Sequence, residues 1–212
     1  MAKITKTKDK LLVHYIRLIK MNVKFILICF LILNYSKMQG QLNMTPAVIP
    51  LLLSENGNFP NNPKLPVLLY KNVFQYRSND PASEVEQVFS ENNWGGSWRN
   101  GIYNFHHYHS TSHEVLGVYS GWAEVQFGGP GNEPIKIEKG DLVVLPAGTA
   151  HQRLDSGDNF AVVGAYPQGQ DWDMQYGKPE ELQQAKHNIS HVPLPQTDPV
   201  FGEKGKMFDF WR

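Results

Sequence analysis

The chain has 212 residues, 20 basic and 20 acidic side chains, 41% hydrophobic residues and one cysteine. That length suits one globular domain with extensions, and the composition excludes a disordered chain, a collagen and a disulfide scaffold. The zero formal charge is the sum of two unlike parts: residues 1–43 carry eight basic residues against Asp9 alone, or +7, and the remainder carries −7. An acidic remainder without a clustered positive face excludes nucleic acid as a partner.

From Phe25 to Leu33 the chain is continuously apolar (FILICFLIL), too short for the about 20 residues of a membrane-spanning helix. The run matches the apolar region of a secretory signal, with Met21 to Lys24 as its short basic start, and predicts export to the periplasm or the medium from a start near Met21. Met38 interrupts the small-residue cleavage pattern near Gly40, and the alternative is a retained amphipathic or core helix in a cytoplasmic protein. Cys29 lies inside the run, so the remainder has no thiol for a disulfide or a nucleophile.

Residues 54–66 (SENGNFPNNPKLP) read as an irregular lead-in, followed by a short apolar strand from Val67 to Tyr70. A helix starts at Asp80–Pro81: Asp80 caps it, Pro81 fits its first position, and Val85, Val88 and Phe89 recur at helical spacing. Asn92, Asn93 and Gly95–Gly96 are read as its end. Between Gly101 and Tyr166 the pattern changes to short strands at 102–109, 113–119, 122–127, 134–138, 141–145, 150–154 and 160–166, separated by Gly- and Pro-bearing turns. Many short strands with regular turns argue for an all-β sandwich or barrel. A last helix begins at Pro179, and the extended tail ends in Phe208, Phe210 and Trp211, aromatics expected to pack back on the barrel.

Four histidines, His106, His107, His109 and His113, fall within eight residues and are followed by Glu114. Strand alternation places His107 and His109 on one face with Tyr103 and Phe105, and turns His106 and Tyr108 the other way. A turn at Ser110–Ser112 returns Glu114 to the same side, while His113 points away and is the rival for its role. Two imidazoles and a carboxylate inside a barrel form a ligand set for Zn, Fe, Mn or Ni. The same cluster also fits a surface hairpin with solvated histidines. A second segment, Gly140 to His151 (GDLVVLPAGTAH), supplies a strand, a Pro/Gly turn and a further histidine.

Together these segments resemble the cupin superfamily. The first cupin motif, G-x5-H-x-H-x4-E-x6-G, fits Gly101, His107, His109, Glu114 and Gly121; the second, G-x5-P-x-G-x2-H-x3-N, fits Gly140, Pro146, Gly148 and His151, with Asp155 in place of its final Asn. That position is a turn residue, and Asp makes the same local turns. The resemblance implies a cupin double-stranded β-helix, a jelly-roll barrel with short flanking helices, occupying 44–212 with its core at about 99–168. It also implies one divalent transition metal (Fe, Mn, Zn or Ni) held by His107, His109, Glu114 and His151, and pairing into a homodimer. Near the ligands, Tyr103 and Phe105 share their face, and Arg153 shares parity with His151 and is a candidate clamp for a substrate carboxylate; a solvent-facing arginine is the alternative. The expected activity is that of a metal-dependent oxygenase, decarboxylase or isomerase on a small anionic or carbonyl compound. The rival is a module that binds or senses a small ligand without turnover.

Overall fold

A computed structural model describes residues 42–212 together with Met21, Val23, Lys24 and Ile26. Ile26 apart, the signal-like run and Cys29 lie outside the described residues. Among the described residues no helix is long and apolar enough to cross a membrane. Leu42 to Arg212 form one compact unit.

The unit is built from β1 (Ala47–Leu51), β2 (Val67–Lys71), α1 (Pro81–Glu91), β3 (Trp94–Asn100), β4 (Glu114–Ser120), β5 (Trp122–Phe127), β6 (Ile135–Glu138), β7 (Leu142–Leu145), β8 (His151–Ser156), β9 (Ala161–Pro167) and α2 (Leu182–Ile189). Two antiparallel sheets result, one ordered β1-β2-β7-β4-β9-β3 and one ordered β6-β5-β8. The fold is all-β, a double-stranded β-helix with short flanking helices. It closes as two facing sheets, not as one continuous ring of strands.

Alternation explains why the sheets face each other. Val67, Leu116, Val143 and Val162 of the larger sheet and Ala123, Val125, Phe127 and Ile137 of the smaller one share a single buried cluster, the apolar side of strands whose other residues alternate outward. On α1, Asp80 accepts from the Ser83 amide as the N-cap, Pro81 opens the helix, and Val85, Val88 and Phe89 are buried. Trp211 is buried in the tail, and its indole donates to the Pro66 carbonyl at 2.9 Å.

Three elements depart from the sequence expectation. The segment expected as a strand over 102–109 is irregular, with only isolated bridges at His107–His151 and Tyr108–Gln175. Its carbonyls are claimed elsewhere: Tyr103 accepts from the Arg153 amide, Ile102 from the Arg153 side chain and Asn104 from the Gln152 side chain. Residues 94–100, whose glycines were read as a helix stop, form β3, where the register shifts between Gly95 and Trp98. The last helix opens with a 3₁₀ turn at Pro179–Glu181 before α2.

Candidate functional site

The four motif side chains come from three places in the fold. Glu114 opens β4 in the larger sheet, and His151 opens β8 in the smaller one. His107 and His109 stand on the irregular segment between β3 and β4. The backbones of His107 and His151 exchange hydrogen bonds at 3.3 and 3.0 Å, and the Gly148 amide donates to the His109 carbonyl at 2.8 Å. Gly148 has φ +92°, and a Cβ there would lie 2.7 Å from the Asn61 carbonyl oxygen. Glycine therefore sets the turn that delivers His151.

All four side chains are buried. The imidazole centroids lie 4.1 Å (His107–His151), 5.9 Å (His107–His109) and 6.3 Å (His109–His151) apart. Oε2 of Glu114 is 3.6 Å from Nε2 of both His109 and His151. Each Nδ1 meets a backbone carbonyl: His107 that of Phe105 at 3.2 Å, His151 that of Thr149 at 3.1 Å, and His109 that of Asp173. A carbonyl only accepts, so Nδ1 carries the proton and Nε2 presents its lone pair. Burial and the neighbouring histidines push His151 down to about 3. Burial likewise lowers His107, against its carbonyl contact and Glu114. Burial also opposes charge on His109 and Glu114, yet their mutual attraction leaves His109 raised and Glu114 lowered.

Among the described residues no three His, Cys, Asp or Glu side chains stand in a preformed metal cluster. The four donors converge without forming a closed shell. Even so, 3.6 Å is within the span of two ligands that each lie about 2.1 Å from one ion. Oε2 of Glu114 is buried without a hydrogen-bond partner, which is costly unless something positive meets it. Three imidazole nitrogens and one carboxylate oxygen suit a borderline divalent cation. The residues present fit a metal.

The donors open onto a cavity of about 350 Å³. Tyr103 lines it, 49% exposed, edge-on to His107 at 5.1 Å. Phe105 stacks on Tyr103 at 4.8 Å and is not part of the lining. Arg153, the expected carboxylate clamp, does not line the cavity either: its guanidinium donates to the Ile102 carbonyl at 3.0 Å and to Ser156 Oγ at 2.8 Å. The reason is the irregular segment, whose unpaired Ile102 carbonyl captures the arginine. His113 is buried on the far side of β4, where its Nδ1 accepts from the Ala147 amide at 2.9 Å and its ring packs on Trp211.

Four further residues shape the site. The Tyr166 hydroxyl donates to Oε1 of Glu114 at 3.2 Å and accepts from the Trp98 indole at 3.0 Å. Burial and then the Glu114 charge push the Tyr166 phenol up, so it stays a donor. Trp172 packs on His109 at 4.7 Å, and Asp173 orients His109 while its carboxylate gathers the Ser110 and Thr111 amides. Tyr166 closes a strand, so its parity was available as a signal. Residues 168–178 carry no periodicity, and nothing in the sequence singled out Trp172 or Asp173.

No protein-family model matches the chain. It is 36% identical over 157 residues to Uncharacterized protein YjlB of Bacillus subtilis (strain 168), covering 74% of this chain and 92% of that protein. Similar solved structures include acireductone dioxygenase from Bacillus anthracis with a cadmium ion in its active centre (17% identity, TM-score 0.30). The match takes in 40% of this chain and 57% of that one. A cupin-like protein from Thermotoga maritima matches at 20% identity and TM-score 0.29, over 57% of this chain and 86% of its own.

Proposed function

The chain belongs to the family of Bacillus subtilis YjlB, and from that premise and the cupin motifs of its sequence we propose that it is a metal-dependent enzyme of cupin type acting on a small carbonyl compound. His107, His109, Glu114 and His151 would hold one divalent transition metal. The observation that carries this reading is the shared orientation of three imidazoles, each with Nδ1 on a backbone carbonyl, with Nε2 of His109 and of His151 turned toward the buried Glu114. A bound divalent ion supplies Lewis acidity toward a carbonyl oxygen, in the manner of oxygenases, decarboxylases and isomerases. The chain's own part is to orient each imidazole through its Nδ1, to hold Glu114 in place through Tyr166, and to surround the reacting region with apolar and aromatic walls.

The test is elemental analysis of protein purified without added metal, paired with His107→Ala. The expected result is about one divalent ion per chain, lost in the variant. A metal-free wild type refutes the proposal.

One observation favours the second reading, a binding module without turnover. Apart from the four donors, no Asp, Glu, Lys or His lines the cavity among the described residues. The Tyr166 hydroxyl is committed to Glu114. Steady turnover of any screened carbonyl compound by the metal-loaded protein decides against it.

A further inference from the structure

The walls of the cavity carry information about its ligand that the metal donors do not. Four aromatic side chains line it: Trp98, Tyr103, Tyr166 and Trp172. Tyr103 stands edge-on to His107, and Trp172 tilts over His109, so the two rings rise from neighbouring donors at the cavity's edge. Both are large and are left 49% and 43% exposed. Trp172 also stacks on Tyr166 at 5.7 Å with planes 26° apart, which makes that wall a continuous π surface. Trp98 lies flat over Gly164, where a Cβ would come 2.2 Å from its Cε2, so the sheet leaves room for this ring and no other side chain.

Charge on the lining is as restrictive as shape. Arg99 is the sole Lys or Arg among the described lining residues. Its guanidinium is turned to α1, donating to both Glu86 oxygens at 2.7 Å and to Ser83 Oγ at 2.8 Å. With Arg153 also engaged, neither arginine is placed to clamp a remote carboxylate. An organic cation suits aromatic walls in general, but here it would sit beside a divalent ion and be repelled.

Resting on the metal-binding reading above, we propose that the cavity selects a planar, conjugated ring compound bearing two adjacent oxygen donors. Its oxygens would meet the divalent ion that His107, His109, Glu114 and His151 would hold, and its ring would lie against Trp172 and Tyr103. An aliphatic acid with a remote carboxylate is disfavoured, because nothing pairs its charge. Conjugated enols and ring hydroxyketones satisfy both demands: they are flat, and they give up one proton when both oxygens bind.

The experiment compares two probes that chelate alike and differ in the ring, tropolone and acetohydroxamic acid. Binding is measured by calorimetry on the full chain loaded with nickel, with metal content determined before and after. The expected result is tighter binding of tropolone in the wild type. Trp172→Leu and Tyr103→Leu should each weaken tropolone about two- to tenfold, the amount a lost ring–ring contact represents, and leave acetohydroxamic acid unchanged. Equal weakening of both probes, or tropolone binding that ignores both substitutions, overturns the inference while the metal reading stands. A wild type that takes up no metal refutes both. Because both side chains are half exposed, the variants keep the core intact, and unchanged acetohydroxamic acid binding confirms it.

Discussion

The Tyr166 hydroxyl bonds Oε1 of Glu114 and leaves Oε2 as the oxygen that faces the histidines. Tyr166→Phe removes that donor without removing the ring. Outer contacts of this kind are worth about 10- to 100-fold in metal affinity, so the variant should bind metal at least about tenfold more weakly. Competition against a chromophoric chelator measures it, and equal affinity would show that Glu114 needs no such support. His113 gives the contrasting case. Its Nδ1 is the acceptor for the buried Ala147 amide, so His113→Leu should cost about 1–3 kcal/mol in stability and leave metal stoichiometry unchanged. Urea melts and metal analysis check the two halves of that statement; a loss of metal would reinstate His113 as a ligand. At this scale the donors were legible because two spaced motifs fix their order along the chain. Trp98, Tyr166 and Asp173 were not, since their roles depend on contacts across separations of 52 to 68 residues.

Elements were legible where one periodicity dominated. The strands from Glu114 to Pro167 fall between the expected Gly- and Pro-bearing turns, and α1 carries a cap, a proline and a helical stripe in the expected places. β3 was hidden because Gly95 and Gly96 imitate a helix stop, whereas Gly96 takes φ +63° within a strand whose register shifts before Trp98. The segment at 102–109 failed in the opposite sense: its residues alternate, but β8 side chains take the carbonyls a neighbouring strand would need. Two predictions belong here. Gly164→Ala should push the Trp98 ring out of the cavity wall, seen as a changed near-ultraviolet circular dichroism signal and a lowered Tm; unchanged spectra would mean the ring has room after all. The second concerns α1, where bonds from the Ser83 hydroxyl and amide outweigh an opposing desolvation and, with the Arg99 charge, hold Asp80 below the usual carboxylate range. Its contribution is present above the unfolded carboxylate pKa and lost as pH falls through the lower folded value. The Tm gap between wild type and Asp80→Ala should therefore be constant near neutrality and close in strong acid, and a gap that widens in acid would contradict the cap.

For the molecule as a whole, the donors join parts that the core alone connects only by apolar contact. Glu114 belongs to the larger sheet and His151 to the smaller, with His107 and His109 on the segment between. An ion shared by them would tie the two sheets together at one end of the β-helix. Binding confined to the folded state stabilises by RT ln(1 + [L]/Kd), about 2.7 kcal/mol at a hundredfold excess over Kd and about 4.1 at a thousandfold. For a unit of this size each kcal/mol moves Tm by about 2–4 °C, so chelation should lower Tm by roughly 5–16 °C and readdition should restore it. His151→Ala should melt at the same temperature with and without metal. Trp172→Leu, which touches a donor but supplies none, should keep the full shift. A wild type whose melting ignores both chelator and metal would leave the buried Oε2 of Glu114 without its proposed partner and would favour a metal-free binding cavity.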